Sequence, residues 1–207
     1  MHPINKKNFI TATLLSACTA CILLVLSWNI GKQDFFLLLN TNLGTACDYF
    51  FGIITNAGDF LMWIPVFLIV FFILKRKDTW LLLLVSLVMV TIITQVCKYI
   101  IVPDEPRPWA AITDHSIVHR VWFVEPWLIS SFPSGHTATA FTFYLLFCLL
   151  LKKKWWLYAG FIFALIVAYS RIYLAQHFPL DLAAGIIVAI ISVLISLFIQ
   201  KWWWKRN

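Results

Sequence analysis

The segment Ser170–Asp181, SRIYLAQHFPLD, separates two long apolar runs near the carboxyl end of the chain. It places a cation (Arg171), an imidazole (His177) and a carboxylate (Asp181) beside sequence suited to hydrocarbon, and ionisable groups at membrane depth usually mark a functional site. His177 and Asp181 are four residues apart, the spacing at which two side chains meet on one helix face. Pro179 suits the first turn of a helix. The segment therefore predicts a polar site at a helix boundary. The alternative is a structural ion pair between Arg171 and Asp181, with His177 as a bystander.

The overall composition excludes an ordinary soluble domain. Of the 207 residues, 62% are hydrophobic and 12% are charged, and the mean hydropathy is +0.87. A typical soluble domain is about 45–50% apolar and about 25% charged. Apolar runs recur along the whole chain, which predicts a single integral membrane domain over residues 1–207. Several of the eleven Trp residues lie at the ends of apolar runs, as in the aromatic belts of membrane proteins.

Six apolar runs approach or reach the length of about 20 residues that a membrane-spanning helix needs. The predicted fold class is therefore all-α, an integral membrane bundle of six transmembrane helices. Residues 31–59 mix Phe and Leu with polar residues, which predicts short amphipathic helices along the membrane interface between spans one and two. A long polar loop, residues 103–132, precedes the fourth span. The predicted spans are Phe9–Ile30, Phe60–Leu74, Thr79–Val102, His136–Leu151, Trp155–Leu174 and Leu180–Gln200.

Charged residues divide unevenly between the two sides of this topology. One side collects eleven cations against one acid, Asp78, and the other collects five cations against eight acids. Because cytoplasmic loops carry an excess of Lys and Arg, both termini are predicted to be cytoplasmic. The net charge of +7 is thus a topology signal and does not indicate nucleic-acid binding. The eleven cations are Lys6, Lys7, Lys75, Arg76, Lys77, Lys152, Lys153, Lys154, Lys201, Lys205 and Arg206.

Seven polar side chains from five parts of the chain fall on the opposite, outer face. Their three cations call for an anion, and the planar guanidinium groups of Arg107 and Arg171 suit phosphate oxygens. Residues 134–136 begin the fourth span, so backbone N–H groups and the helix dipole can face the same anion. Gly135, within this segment, allows close backbone approach. The seven are Lys98, Arg107, Ser134, His136, Arg171, His177 and Asp181.

The two histidines of this set suit a two-step phosphoryl transfer, in which one attacks phosphorus and the other protonates the departing oxygen. His177 is the better nucleophile, because Asp181 can fix its tautomer and stabilise its positive charge. His136 is then the general acid, and this chemistry requires no metal or other cofactor. His115 and His119 have a spacing that allows a metal site, although a polar loop collects such residues easily.

These residues resemble the signature motifs of the type-2 phosphatidic acid phosphatases. Pro133–His136, PSGH, is similar to the second motif, and residues 170–181 are similar to the third. Arg107-Pro108, preceded by Lys98, resembles the first motif. The family has six residues between this Lys and the Arg-Pro pair, whereas residues 99–106 make eight here. The difference predicts either a two-residue bulge in the loop or a weaker role for Lys98.

The resemblance implies a metal-independent phosphatase, embedded in the membrane and free of cofactors, that works through a phosphohistidine on His177. It implies that Asp181 supports this nucleophile and that His136 is the general acid. The residues that it implies for phosphate binding are Lys98, Arg107, Ser134, Gly135 and Arg171.

Residues 119–141 most resemble the bacterial phosphatases of envelope lipids. This likeness places the protein in the bacterial inner (cytoplasmic) membrane, with its site on the periplasmic, extracytoplasmic face. The expected partners are the bilayer and a lipid phosphate, which could be lipid A, undecaprenyl pyrophosphate, phosphatidylglycerol phosphate or phosphatidic acid. One alternative is a phosphotransferase that passes the phosphoryl group from His177 to another lipid. Another is an anion transporter, which would spread its charges through the spans. The preference for mono- or pyrophosphate and the oligomeric state stay open.

Overall fold

Nine α-helices, joined by short 3-10 and π segments, form the described part of the computed structural model, residues 4–206. No strand occurs in that part of the chain, so the prediction of an all-α protein is confirmed. The helices are α1 (Lys6–Ile30), α2 (Lys32–Leu39), α3 (Thr45–Ile54), α4 (Trp63–Leu68), α5 (Trp80–Val96), α6 (Pro108–Ala111), α7 (Gly135–Leu150), α8 (Trp155–Tyr173) and α9 (Pro179–Arg206).

Four helices are long and apolar enough to cross a membrane: α1, α8, α9 and the helix Lys77–Ile101 that contains α5. A fifth span results if Thr45–Gly58 and Phe60–Ile73, bent by 61° at their junction, count as one. The second predicted span is thus part of a broken helix. The fourth is α7, whose 16 residues reach about 24 Å at 1.5 Å per residue, less than the hydrocarbon core of about 30 Å. The apolar helices are those of a membrane protein, while the count of six spans stays a prediction.

Helix α7 lies at the centre of the bundle, packed against α1, α5, α8 and α9, and nearly all of its side chains are buried. Close approach of α9 depends on Gly185, where an added Cβ would lie 2.6 Å from the backbone oxygen of Ser134. The Ser134 N–H also donates to the backbone oxygen of Asp181 at 3.0 Å. The first turns of α7 and α9 are therefore held together. We call this end of the bundle, where α5 and α8 finish and α7 and α9 begin, the site end.

Short helices occupy the segment between the first two predicted spans, as expected from its mixed composition. Helix α3 packs on α8 through Phe51, which contacts the rings of Tyr169 and Tyr173 at centroid distances of 5.3 and 4.6 Å. The polar loop after α5 folds back over the site end. The beginning and end of this loop are joined by a hydrogen bond from the Ser131 N–H to the backbone oxygen of Glu105. The Glu105 side chain in turn forms an ion pair with Lys32 at the start of α2. This loop is therefore an ordered cover, anchored by several contacts.

Candidate active site

A cavity of about 800 Å³ opens at the site end and is lined by residues from six segments of the chain. It brings together most of the side chains that the sequence singled out. Two predicted site residues, Ser134 and Asp181, lie behind its wall and are fully buried. The six that line the cavity are Lys98, Arg107, Gly135, His136, Arg171 and His177.

His177 lies in the turn between α8 and α9, where its backbone N–H and that of Gln176 both donate to the backbone oxygen of Arg171. The side chain is 2% exposed. Its Nε2 atom is 3.2 Å from Nη1 of Arg107, and its Nδ1 atom is 3.4 Å from Oδ2 of Asp181. The second distance brings the carboxylate alongside the ring but is longer than a normal N–H···O hydrogen bond. The two ring nitrogens thus face a cation and a carboxylate, respectively.

The Asp181 carboxylate is held in the first turn of α9. Its Oδ2 atom accepts hydrogen bonds from Oγ of Ser131 at 2.5 Å and from the N–H of Phe178 at 2.9 Å. A carboxylate in the first turn of a helix is also stabilised by the helix dipole. Arg171 does not pair with it, since Nη1 of Arg171 donates to Oγ1 of Thr55 at 2.6 Å. The alternative of a structural Arg171–Asp181 ion pair is therefore wrong.

Arg107 is buried against the loop that covers the site end, and each of its guanidinium nitrogens has a partner. Nε donates to the Ile129 oxygen at 2.9 Å, Nη1 to the Gln176 oxygen at 2.9 Å and Nη2 to the Ser130 oxygen at 3.2 Å. Burial lowers the pKa of Arg107 to about 10, so the group stays positively charged at neutral pH. Its position is fixed before any ligand arrives.

Lys98 reaches the same place despite its unusual spacing from Arg107. It lies in the π-helical turn Cys97–Ile101, and its Nζ donates to the Ser130 oxygen at 2.5 Å, the acceptor that Arg107 also uses. The intervening chain turns sharply at Asp104, which has a φ of +56°. The two additional residues are thus accommodated in the loop, and the two cations converge on one carbonyl.

The protonation state of His177 follows from its surroundings. Burial is the largest influence that lowers its pKa, followed by the positive charges of Arg107, Arg171 and Lys98, and the result lies well below 6.5. The imidazole is therefore neutral at neutral pH and retains a lone pair on one ring nitrogen. A neutral imidazole is the form that can act as a nucleophile.

Residues 134–136 form the first turn of α7. Ser134 is the N-cap, and its Oγ atom accepts from the Thr137 N–H at 3.4 Å and from the Thr137 hydroxyl at 2.9 Å. With its own N–H bonded to Asp181, Ser134 secures the helix start from behind the cavity wall. Gly135 and His136 follow it and face the cavity, so the open N-terminal turn of α7 points its free N–H groups there.

His136 has a partner that sequence analysis did not identify. Its Nε2 atom is 2.8 Å from Oδ1 of Asp59, a residue counted there only as one of the outer-face acids. Thr55, which accepts from Arg171, and Gln176, which accepts from Arg107, were also missed. Asp59 directly precedes an apolar run, and an acidic residue at such a boundary could have been identified from the sequence as a candidate site residue.

The two loop histidines lie apart, each with its own contacts. Nε2 of His119 is 3.1 Å from Oδ1 of Asp48, whereas His115 stacks on the ring of Trp109. Among residues 4–206, no three His, Cys, Asp or Glu side chains form a group that could hold a metal ion. Two acids of the loop form ion pairs, Glu125 with Arg120 at 3.5 Å and Glu105 with Lys32.

Comparison with known proteins bears directly on this arrangement. Undecaprenyl-diphosphatase of Sulfolobus acidocaldarius is 29% identical over 159 residues, which are 76% of this chain and 73% of that protein. Lipid A 4'-phosphatase of Bacteroides thetaiotaomicron is 27% identical over 147 residues, 68% of this chain and 64% of that protein. The crystal structure of Aquifex aeolicus LpxE matches with a TM-score of 0.67 and 30% identity, covering 80% of this chain and 94% of that one.

The sequence pattern of a whole family also matches. Residues 79–206 match the PAP2 superfamily, and this region contains all eight predicted site residues, from Lys98 to Asp181. Asp59 and Thr55, which contact two of those residues, precede it. By the extent of this match, and by its likeness in fold to LpxE, the chain belongs to the PAP2 superfamily.

Proposed function

We propose that this protein removes phosphate from a membrane lipid phosphate or pyrophosphate at the outer face of the cytoplasmic membrane. The observation that carries the proposal is the environment of His177. Nε2 of this residue lies beside the Arg107 guanidinium at the cavity wall, while Nδ1 lies beside the buried Asp181 carboxylate. A neutral imidazole with a carboxylate behind it and a cation in front suits attack on an anionic phosphorus centre.

The phosphoryl group is held by positive charge and by the start of α7. Lys98, Arg107 and Arg171 line one cavity and supply three cations for the phosphate oxygens. The N–H groups of Gly135 and His136 lie at a helix N-terminus, a natural anion site. Ser134 contributes by capping that helix. Because these groups neutralise the phosphate, the proposed reaction uses no metal or other cofactor.

In the first step, the Nε2 lone pair of His177 forms a bond to phosphorus, and the bond from phosphorus to the lipid oxygen breaks. The oxygen leaves with that electron pair and takes a proton from His136. Asp181 stabilises the positive charge that develops on the His177 ring. In the second step, the water oxygen forms a bond to phosphorus while the bond from phosphorus to Nε2 breaks and its electron pair returns to His177. The water gives a proton to His136, so inorganic phosphate is released and both residues are restored.

A lipid substrate is supported by the surroundings of the cavity. A second cavity of about 470 Å³ adjoins the first, with which it shares Asp59 and His136. Its wall includes the apolar side chains of Phe60, Trp63 and Val90, and it lies between α4 and α5. An acyl or polyprenyl chain lying there would bring its phosphate to His177. The names of the relatives favour undecaprenyl diphosphate and lipid A over the other two candidate lipids.

The proposed topology has six membrane passes with both termini in the cytoplasm. In it, Phe60–Leu74, which begins at the bend of the broken helix, serves as the second pass, and α7 serves as the fourth. Helix α7 is short but enclosed by the other helices, so that it does not itself meet the bilayer over most of its length. This arrangement places the site end on the periplasmic side, where the headgroups of envelope lipids lie.

The test is phosphate release from purified protein in mixed micelles containing one lipid at a time. The panel is undecaprenyl diphosphate, lipid A, phosphatidylglycerol phosphate and phosphatidic acid, with a soluble phosphate ester for comparison, and each assay is repeated with chelator. We expect release from at least one lipid, unaffected by chelation and absent in His177→Ala. Release from the soluble ester alone would contradict the proposal. Transfer of phosphate to another lipid, without free phosphate, would identify a phosphotransferase.

A further inference from the structure

We propose that Asp59 is a positioning residue for the general acid, so that the site has a second carboxylate–histidine pair. This inference rests on the proposed phosphatase function. Asp181 serves the nucleophile His177, and Asp59 serves His136 on the other side of the cavity. Asp59 lies outside the region that matches the PAP2 superfamily, and none of the motifs that identify the site includes it.

The contact between the two residues is short and direct. Oδ1 of Asp59 lies 2.8 Å from Nε2 of His136, within the range of a charge-assisted hydrogen bond. Both residues line the large cavity and the smaller apolar one beside it. The pair therefore lies where the phosphate of a bound lipid would meet its apolar chain, which is the position of the bond to be broken.

The backbone around Asp59 is shaped to make this contact. Asp59 is the extended residue between the 3-10 turns Thr55–Gly58 and Phe60–Met62, with φ −72° and ψ 154°. At Gly58, an added Cβ would lie 2.8 Å from both Cβ and the backbone oxygen of His136. Any larger residue there would push the turn away from α7. The break in this helix thus brings a carboxylate against the first turn of α7.

The same turn also holds a second site residue, since Thr55 accepts the hydrogen bond from Nη1 of Arg171. Residues 55–59 therefore orient an acid and a phosphate ligand from one short segment. An ordinary continuous helix through this region would place Thr55 and Asp59 on one face, four residues apart. The 3-10 geometry and the extended residue at Asp59 separate their directions, so that each reaches a different partner.

The contact determines which atom of His136 can deliver the proton. With Nε2–H donated to Asp59, Nδ1 is the ring nitrogen that remains for the leaving oxygen. Lys98, Arg107 and Arg171 surround the cavity with positive charge, which repels a protonated imidazole. A carboxylate at 2.8 Å counters part of that repulsion, which favours the protonated His136 that gives up its proton when the phosphorus–oxygen bond breaks. Loss of Asp59 should therefore matter most when the leaving group needs that proton.

Two synthetic substrates distinguish a role of Asp59 in proton delivery from a role in the overall structure of the site. One is an alkyl phosphate, whose alkoxide leaves poorly without a proton. The other is a nitrophenyl phosphate with an alkyl chain of similar length, whose phenolate leaves without help. The quantity to compare is kcat/KM, because it reports the steps up to phosphorylation of His177 and is insensitive to the later hydrolysis of the phosphohistidine. General acid catalysis is worth about 10²–10⁴-fold where a proton is needed.

The variants are Asp59→Asn, Asp59→Glu and, as a matched control, Asp34→Asn on the exposed face of α2. We expect Asp59→Asn to lower kcat/KM for the alkyl phosphate about 10- to 100-fold, a part of the general-acid contribution, and to change the value for the nitrophenyl phosphate much less. Asp59→Glu should restore part of the loss, and Asp34→Asn should behave as the native protein. Activity on the nitrophenyl substrate also shows that Asp59→Asn is folded.

An equal loss with both substrates, or no loss with either, would overturn the role of Asp59 while leaving the proposed function intact. Failure of the native protein to release phosphate from either substrate or from any lipid would overturn the proposed function, and with it the inference. A loss confined to the alkyl phosphate, recovered by Asp59→Glu, supports both.

Discussion

Lys98 offers a sharp test of phosphate binding, because its spacing from Arg107 departs from the family pattern. The change Lys98→Met removes the ammonium group and keeps an apolar stem of similar length. Nζ of Lys98 and Nη2 of Arg107 share the Ser130 oxygen, at 2.5 and 3.2 Å, so Lys98 is near enough to contribute. A charge-assisted hydrogen bond is worth about 1.5–3 kcal/mol. At about 1.4 kcal/mol for each factor of ten in rate, kcat/KM should fall about 10- to 150-fold.

Arg107→Lys provides the comparison within the same site. The guanidinium donates through three nitrogens to three different carbonyl groups, and one ammonium cannot replace that geometry. We expect a larger loss than for Lys98→Met. The matched control is Lys153→Met, an exposed residue just past the opposite end of α7, which should leave kcat/KM unchanged.

The assay is steady-state hydrolysis of a lipid phosphate in mixed micelles, with thermal unfolding of each variant measured alongside. A normal kcat/KM for Lys98→Met, together with a severe loss for Arg107→Lys, would refute a phosphate contact by Lys98. The ammonium would then serve only to hold the loop at Ser130. A lowered unfolding temperature without a kinetic effect would point the same way.

Three further outcomes are expected. The lowered pKa of His177 keeps it neutral at neutral pH. For the nitrophenyl phosphate, whose leaving group needs no proton from His136, kcat/KM should therefore hold as pH falls through 6.5 and decline only near the lower pKa, where protonation removes the His177 lone pair. A decline of kcat/KM for this substrate centred at or above pH 6.5 would contradict this. In rapid-quench experiments with labelled substrate, the native protein should accumulate an acid-labile phosphoenzyme that is absent in His177→Ala, while Asp181→Asn should bind substrate but form it slowly; label that persists in His177→Ala would exclude this nucleophile. In a cysteine-free background, a membrane-impermeant thiol reagent applied to intact cells should label Thr113→Cys but not Lys153→Cys, and the reverse pattern would invert the topology.

Much of the fold could be predicted from hydropathy, because each membrane-spanning helix needs its own run of apolar residues and such runs recur along the chain. The bounds of α1 and α8 differ by at most three residues from the predicted spans, whereas α9 begins one residue earlier and ends six residues later than predicted. A boundary at residues 59–60 was predicted as the start of the second span, but the 3-10 turn Thr55–Gly58 and the bend were not. A bend of 61° arises from packing of the turn against α7, and that packing leaves no periodic trace in the sequence. The shortness of α7 is likewise tolerated because neighbouring helices surround it.

The chemistry of the candidate site was also present in the sequence, since a phosphate site needs particular side chains and these occur at recognisable spacings. Lys98, Arg107, Gly135, His136, Arg171 and His177 line one cavity, as their predicted positions near one face implied. His177 and Asp181, four residues apart, lie close together as predicted, although His177 is in the turn before α9 and not on its helical face. Such pairs can be inferred without a fold because both members belong to one short segment.

Only the tertiary structure decided which partners orient those residues. Asp59 reaches His136 across 77 positions of sequence, and Ser131 reaches Asp181 across 50. The same is true of Thr55 and Arg171, which meet because α3 and its following turn pack on α8. Each contact depends on how helices of similar apolar composition pack against one another. The chemical identity of a side chain can be read directly from the sequence, whereas its orientation depends on the packing of distant segments. The sequence therefore revealed the candidate reacting groups, and the structure revealed the residues that hold them in place.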